Sequence, residues 1–212
     1  MNKKLGALSV LLFAFTSTAQ AAPQIITFGL NGSSFFTTSP TEVMYMNAYT
    51  GELSNGGVEY YSIGGYRSAA EAASNEWVAF NWYEYSPSSF ASSSGELFCL
   101  DSFWLAGAWG SQTLTITGYA NGGAINTTTI GVTTTAQEYF FSGFEGIDTF
   151  TIAIGSDFSH DSSLDYYGQH WALGSVTVAA AAVPEPETWT LLLAGLGIVG
   201  AVTRRSRALR RF

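Results

Sequence analysis

Strict alternation of apolar and polar residues, repeated in two places, constrains the fold of this chain more than any other feature. Gln112-Thr113-Leu114-Thr115-Ile116-Thr117 sets Leu114 and Ile116 on one side and threonines on the other. Asp148-Thr149-Phe150-Thr151-Ile152-Ala153-Ile154 repeats the arrangement with Phe150, Ile152 and Ile154. Neighbouring side chains of a strand point to opposite faces, so a period of two describes strands with one dry face and one wet one. Threonine suits the wet face because it is both β-branched and polar. One-sided burial of this kind belongs to antiparallel sheets.

Further strands are expected at 24–30, 42–48, 58–63, 76–83, 96–105, 125–133, 136–142 and 171–179. Many are separated by glycine-containing turns such as Asn55-Gly56-Gly57, Asn121-Gly122-Gly123 and Gly143 to Gly146. One helical turn is expected at 68–75, where Ser68 and Glu71 have capping-box spacing. Strands in this number, without βαβ alternation, predict an all-β, antiparallel two-sheet sandwich. A jelly-roll-like version is preferred, since such domains often end in a strand packed beside their first.

Charge divides the chain into parts. Sixteen acidic residues stand against eight basic ones, a net charge of −8 over 212 residues. Lys3 and Lys4 lie at one end; Arg204, Arg205, Arg207, Arg210 and Arg211 lie at the other. Between 22 and 183, fourteen acids face Arg67 alone, a net of −13. No basic footprint for phosphate exists there, which excludes a nucleic-acid partner. Charged residues at 11% and aromatics at 15% exclude a solvated, disordered chain. A single cysteine, Cys99, excludes an intramolecular disulfide and a thiolate zinc site, and its apolar neighbours Phe98 and Leu100 predict a small buried hydrophobe.

Aromatic residues crowd two stretches: Trp77, Phe80, Trp82, Tyr83 and Tyr85, then Trp104 and Trp109. On a strand, Trp77, Ala79, Asn81 and Tyr83 share one face, and Val78, Phe80, Trp82 and Glu84 the other. Large rings on both faces of one strand are hard to hide in a single core. Two readings follow. Either the rings are sandwich core, or Trp77, Trp82, Tyr83, Trp104 and Trp109 contribute to a glycan platform, where rings stack on apolar sugar faces and polar neighbours bind hydroxyls. Asp157, Asp161 and Asp165 recur in a serine-rich loop; their spacing is not that of an EF-hand, so a solvated acidic loop is expected, with a calcium site as the alternative. No cofactor and no metal centre is expected. The acids are scattered, His160 and His170 stand ten apart, and no Gly-x-Ser-x-Gly elbow occurs, so no enzyme is expected. The rival reading is a glycan-processing enzyme with a carboxylate pair flanking a cleft. A purely structural matrix protein without a specific ligand is another alternative. Asn31-Gly32-Ser33 and Asn126-Thr127-Thr128 match the glycosylation sequon, and both are read as chance.

The two ends read as addresses. Lys3 and Lys4, the apolar run from Leu5 to Phe15 and Ala19-Gln20-Ala21 have the three parts of a signal peptide over 1–21, with cleavage after Ala21. At the other end, Val183-Pro184-Glu185-Pro186 precedes an uncharged stretch from Thr188 to Thr203 and then the arginines. Sixteen helical residues rise about 24 Å, a short span. Trp189 suits one interface; Arg204, Arg205 and Arg207 anchor the other, on the cytoplasmic side by the positive-inside rule. The body, 22–182, therefore lies outside the inner membrane, with a single membrane helix at 188–203.

The order of those three parts resembles the PEP-CTERM sorting domain of exported Gram-negative proteins, here over 183–212. The resemblance implies processing by exosortase, an integral-membrane, transpeptidase-like enzyme, near Pro184, Glu185 and Pro186. It also implies transient anchoring followed by delivery to the cell surface or extracellular matrix, with exopolysaccharide as a partner. A weaker similarity covers the body. Phe98–Leu105, Leu114–Tyr119, Phe144–Ile154 and Trp171–Val178 resemble the strand order of carbohydrate-binding jelly rolls. Gly174 and Ser175 stand where such domains often carry an acidic pair.

Overall fold

A computed structural model describes residues 22–29, 36–38, 43–50, 52–53, 64–84, 86–92, 94–181 and 192–199. The signal-peptide residues Ala19 and Ala21, the Val183–Pro186 motif, the tail arginines, the strand expected at 58–63 and Asn31 lie outside them. Residues Gln20–Ala181 make one compact unit.

Its strands run, in chain order, β1 (Gln24–Thr27), β2 (Phe36–Thr38), β3 (Val43–Asn47), β4 (Trp77–Asn81), β5 (Ser88–Ser92), β6 (Phe98–Gly107), β7 (Gly110–Ala120), β8 (Gly123–Val132), β9 (Gln137–Phe140), β10 (Thr149–Ile154), β11 (Ser159–His160) and β12 (Trp171–Ala180), with α1 (Gly65–Ala72) before β4. All pairings are antiparallel and form two six-stranded sheets. The first has the order β3-β4-β12-β6-β9, with β1 also on β12. The second has the order β11-β7-β10-β5-β2, with β8 on β7. The last strand thus lies beside the first, Gln24 opposite Val178.

The alternating stretches behave as their pattern dictates. Leu114, Ile116, Phe150 and Ile152 are fully buried and join Phe90, Phe103, Leu105, Trp171, Leu173 and Val176 in one core between the sheets. β5 was not expected: Ser88 and Ser92 take inward positions around a lone Phe90, too little apolar signal for a strand to show.

The first sheet is apolar on its outer side as well. Trp77 and Ala79 belong to the core between the sheets. Val78 and Phe80 belong to a second core with Tyr66, Ala69 and Ala70 of α1, together with Trp109 and Ala172. That second layer is how one strand hides rings on both faces. α1 seats so closely that a Cβ on Gly174 would collide with the Ala69 carbonyl oxygen, and one on Gly65 with the Gly107 carbonyl oxygen. Gly174 is therefore a packing residue, which accounts for the lack of an acid there.

The helix differs from its expectation. It begins after Gly64, at φ 67°, and no side chain caps it. Ser68 sits inside it and accepts a hydrogen bond from the Ala136 N–H at 2.8 Å, while Glu71 pairs with Arg67 at 3.0 Å. The capping box does not form, because helix entry is fixed by packing against residues 107–108 instead. Within the tail, 192–199 is helical, and Leu192, Leu193, Leu196, Ile198 and Val199 are exposed. No helix among the described residues is long and apolar enough to cross a membrane.

Candidate functional site

The five aromatics considered for one platform occupy four different environments. Trp77 is 8% exposed between the sheets and Trp109 is 1% exposed under α1, so neither can meet a ligand. The reason is the second core, which consumes rings that a one-core sandwich would have to leave outside. Trp82 and Tyr83 leave the end of β4 together, with ring centroids 4.7 Å apart and an edge-on angle of 64°. Trp82 packs partly on Phe80, whereas Tyr83 is 74% exposed. Trp104 is elsewhere, half-buried on the outer face of the first sheet.

Cross-strand register defines that outer face. Thr27, Ser175, Trp104 and Glu138 form one row over β1, β12, β6 and β9; Ile25, Thr177, Ser102 and Phe140 form the next. Residues directly opposed in antiparallel strands share a face. The row between them, Ile26, Val176, Phe103 and Tyr139, points into the core between the sheets.

The Trp82–Tyr83 corner is held by a polar clasp. Asn81 is fully buried; its Oδ1 accepts from the Trp171 N–H at 2.9 Å and its Nδ2 donates to the Gln169 carbonyl at 3.0 Å. His170 Nδ1 lies 2.7 Å from the Asn81 carbonyl oxygen, and Glu84 Oε1 accepts from the Gln169 N–H at 2.9 Å. Burial pushes the His170 imidazole below its ordinary value of 6.5, against the opposing effects of the Asn81 contact and the Glu84 charge. A Cβ on Gly168 would press on His170 and Glu84, so the chain can cross the clasp only as glycine.

Backbone strain at the corner points outward. Tyr83 and Glu84 are consecutive non-glycine residues in the left-handed region, at φ 51° and 58°. Each costs about 1–2 kcal/mol in an L-residue, and strain of this sort gathers at ligand sites. Its effect is to turn the Tyr83 ring to solvent while Glu84 turns back to Gln169.

The loop leading into the clasp adds rings that sequence reading missed. Tyr167 is 75% exposed, with its ring 5.0 Å from His160 and 5.4 Å from Phe158. Tyr166 is partly exposed and packs at 5.3 Å on Trp109, while its carbonyl oxygen lies 2.7 Å from His160 Nε2. The signal was present: Tyr166-Tyr167-Gly168-Gln169 puts two adjacent rings and amide chemistry in an otherwise polar loop. Two of the loop's acids are taken up by structural hydrogen bonds. Asp157 Oδ1 accepts from the Thr113 N–H at 2.9 Å and hydroxyl at 2.6 Å, and Asp161 Oδ1 accepts from the Ser163 N–H at 3.0 Å and hydroxyl at 2.7 Å. These bonds hold both carboxyls below the usual range. Among the described residues no group of three or more His, Cys, Asp or Glu side chains could hold a metal ion.

A shallow depression of about 490 Å³ beside α1 is lined by Tyr49, Ala70, Glu71, Ser74, Asn75 and Glu76. Both of its carboxylates are engaged, Glu71 by Arg67 at 3.0 Å and Glu76 by Asn47 Nδ2 at 3.5 Å. Cys99 is buried and unpaired as a disulfide.

Residues 182–208 match the family described as the PEP-CTERM protein-sorting motif. The chain carries a PEP-CTERM sorting signal. The signal implies an exported protein that exosortase processes and that is sorted to the cell surface. No curated protein matches the chain. Among solved structures, TmCBM61 in complex with β-1,4-galactotriose is similar over 68% of this chain and 82% of its own, at 13% identity and a TM-score of 0.28. A likeness at that level carries no argument about ligand or topology.

Proposed function

We propose that this PEP-CTERM protein is a non-catalytic surface or matrix component whose body holds neutral exopolysaccharide at the corner formed by Trp82, Tyr83, Tyr166 and Tyr167. In this reading residues 1–21 start export and are removed after Ala21, and 188–203 halts the chain in the inner membrane with Arg204, Arg205 and Arg207 on the cytoplasmic side. Exosortase then separates the jelly-roll-like body, 22–182, from the segment 183–212 near Pro184–Pro186. The released body serves the biofilm matrix.

The observation that carries the glycan reading is the pair of tyrosines, Tyr83 and Tyr167, each about three-quarters exposed and each within two residues of the Glu84–Gln169 hydrogen bond. Exposed rings stack on apolar sugar faces, and amides and carboxylates fixed beside them meet hydroxyls. Charge disfavours a polyanionic chain: fourteen acids and one arginine between 22 and 183 repel polyanions at low salt. A glycan array probed with the exported protein tests the corner directly. Neutral oligosaccharides retained by the native protein and lost with Tyr83→Ala plus Tyr167→Ala are the expected result; equal retention by both proteins removes the corner from the reading. Localisation in cells with and without exosortase tests the sorting half. Unchanged surface display in the absence of exosortase sinks that half alone.

A further inference from the structure

α1 and the second core cover the outer face of the first sheet over Met44, Val78, Phe80, Ala106, Ala172 and Gly174. Beyond them the rows through Trp104 and Ser102 face outward. Phe140 at 77% and Ile25 at 66% are the exposed apolar members, with Trp104 and Glu138 half-buried. Trp104 and Glu138 are direct cross-strand neighbours, which sets their Cβ atoms about 5 Å apart. Ser102 is 3% exposed, and its hydroxyl donates to Glu138 Oε1 at 2.8 Å. That bond fixes the carboxylate beside the indole and satisfies one of its oxygens.

The electrostatics of this face are one-sided. Arg67, the only basic side chain among the described residues, is committed to Glu71 at 3.0 Å and to the Tyr49 ring at 5.2 Å. No other Lys or Arg among the described residues stands by to neutralise Glu138, so its negative charge goes uncompensated. A ring face beside a fixed carboxylate, in an acidic field, is complementary to a cation on an apolar ring. Tryptophan adds to that, since its ring face attracts a cation.

We propose that the open face around Trp104 and Glu138 binds a polysaccharide unit bearing a free amino group, with the pyranose ring stacked on Trp104 and the ammonium at the Glu138 carboxylate. Phe140 and Ile25 extend the apolar floor on either side of Ser102. The site is separate from the tyrosine corner and does not depend on it.

Fully deacetylated glucosamine oligomers, titrated into the full-length protein in mild detergent and followed by calorimetry and tryptophan fluorescence, test this assignment. The N-acetylated oligomer of the same length is the control. Binding of the deacetylated oligomer at least tenfold tighter than the control, weakening as salt rises, is expected. Glu138→Gln should lose about tenfold or more, Trp104→Ala should lose detectable binding, and Tyr83→Ala should leave the affinity unchanged. Should Trp104→Ala fail to fold by circular dichroism, Glu138→Gln alone decides. Absence of binding, equal binding of the two oligomers, an unaffected Glu138→Gln, or loss on Tyr83→Ala would each overturn it. A protein that fails here and still loses its neutral glycan with the corner variants leaves the corner reading standing.

Discussion

The second sheet is apolar on its inner face and threonine-lined on its outer face, whereas the first sheet is apolar on both faces over half its width. In the second, Leu114 and Ile116 are fully buried while Thr115 meets Thr129 and Thr117 meets Thr127 across β7 and β8 in the open. In the first, Trp77 and Phe80 of the same short strand serve two different cores. The difference decides where function can sit. A threonine ladder is a solvated wall, too polar and too flat to hold a ring. A sheet with an apolar outer face must be covered, and where α1 stops covering it, rings and carboxylates remain at the surface. Both candidate ligand sites, the Trp82–Tyr83 corner and the Trp104 face, belong to the first sheet.

The strongest way to break this contrast is to remove a ring from the outer core. Phe80→Ala should cost about 3–5 kcal/mol, a large share of the ~5–15 kcal/mol that holds a domain together. Urea denaturation of the native and variant proteins measures it. A loss under 1 kcal/mol would mean that α1 is an ornament rather than a second layer. Gly174→Val should be as damaging for the opposite reason, since the added side chain runs into the Ala69 carbonyl and the Ala73 Cβ.

Next in size is the clasp. Asn81→Ala removes an acceptor for the Trp171 N–H and a donor to the Gln169 carbonyl, both bonds of a fully buried amide. Leaving such groups unpaired costs about 1–3 kcal/mol each. The same substitution should weaken glycan binding at the corner, because the Gln169–Glu84 contact is carried on the segment leading into β12 that Asn81 ties down. Stability lost with glycan affinity intact would separate clasp from site.

The third test spares the fold. Tyr83→Ala and Tyr167→Ala remove exposed rings, so unfolding should shift by less than about 0.5 kcal/mol, while affinity for a neutral oligosaccharide falls about tenfold, or ~1.4 kcal/mol. Relief of left-handed strain by Tyr83→Gly, which also deletes the ring, should raise stability slightly and lower affinity together. Opposite signs in one variant are hard to obtain from a structural role.

How much of this was legible in the sequence follows the same division between sheets. β7 and β10 could be read residue by residue, because one wet face leaves a visible period of two. β4 was legible as a strand with its two faces correctly sorted, but Trp-Val-Ala-Phe-Asn has no polar face to tell which rings stay covered, because its second core comes from α1, a segment placed by packing without a capping side chain. Of the two readings of the aromatic cluster, the core reading holds for Trp77 and Trp109. Tyr166 and Tyr167 were overlooked because a loop has no period to betray which side chains face outward. The sorting signal was fully legible, being a linear code of Pro-Glu-Pro, apolar run and arginines that needs no fold to be read.

Titration separates the clasp from the acidic loop. The unfolded His170 imidazole accepts a proton before the folded one does, since burial lowers the folded pKa. Its contribution is complete above the ordinary value of 6.5 and declines as pH falls below it, at no more than about 1.4 kcal/mol per pH unit for one proton. Asp157 and Asp161 are held below their ordinary value of 3.8, so what they add persists at pH 5 and is lost only on further acidification. A first decline in melting temperature between pH 7 and 5 that His170→Gln abolishes is expected, followed by a second below pH 4 that Asp157→Asn reduces.

The smallest effect is the most useful control. Thr129→Ala deletes one hydroxyl of the exposed 3.4 Å pair with Thr115, together with its γ-methyl, and leaves every core contact in place. An exposed Thr–Thr contact is worth a few tenths of a kcal/mol, so stability should move by less than about 0.5 kcal/mol, with affinity for both kinds of oligosaccharide unchanged. The same hydroxyl deletion at Ser102, on the outer face of the first sheet, releases Glu138 from its 2.8 Å bond and should weaken binding of the amino sugar severalfold. One small truncation made on the outer face of each sheet then reads the contrast directly: silent where the wall is solvated, felt where the sheet is left open beside its helix. Measurable loss of either ligand with Thr129→Ala would assign the second sheet a role that its threonines deny it.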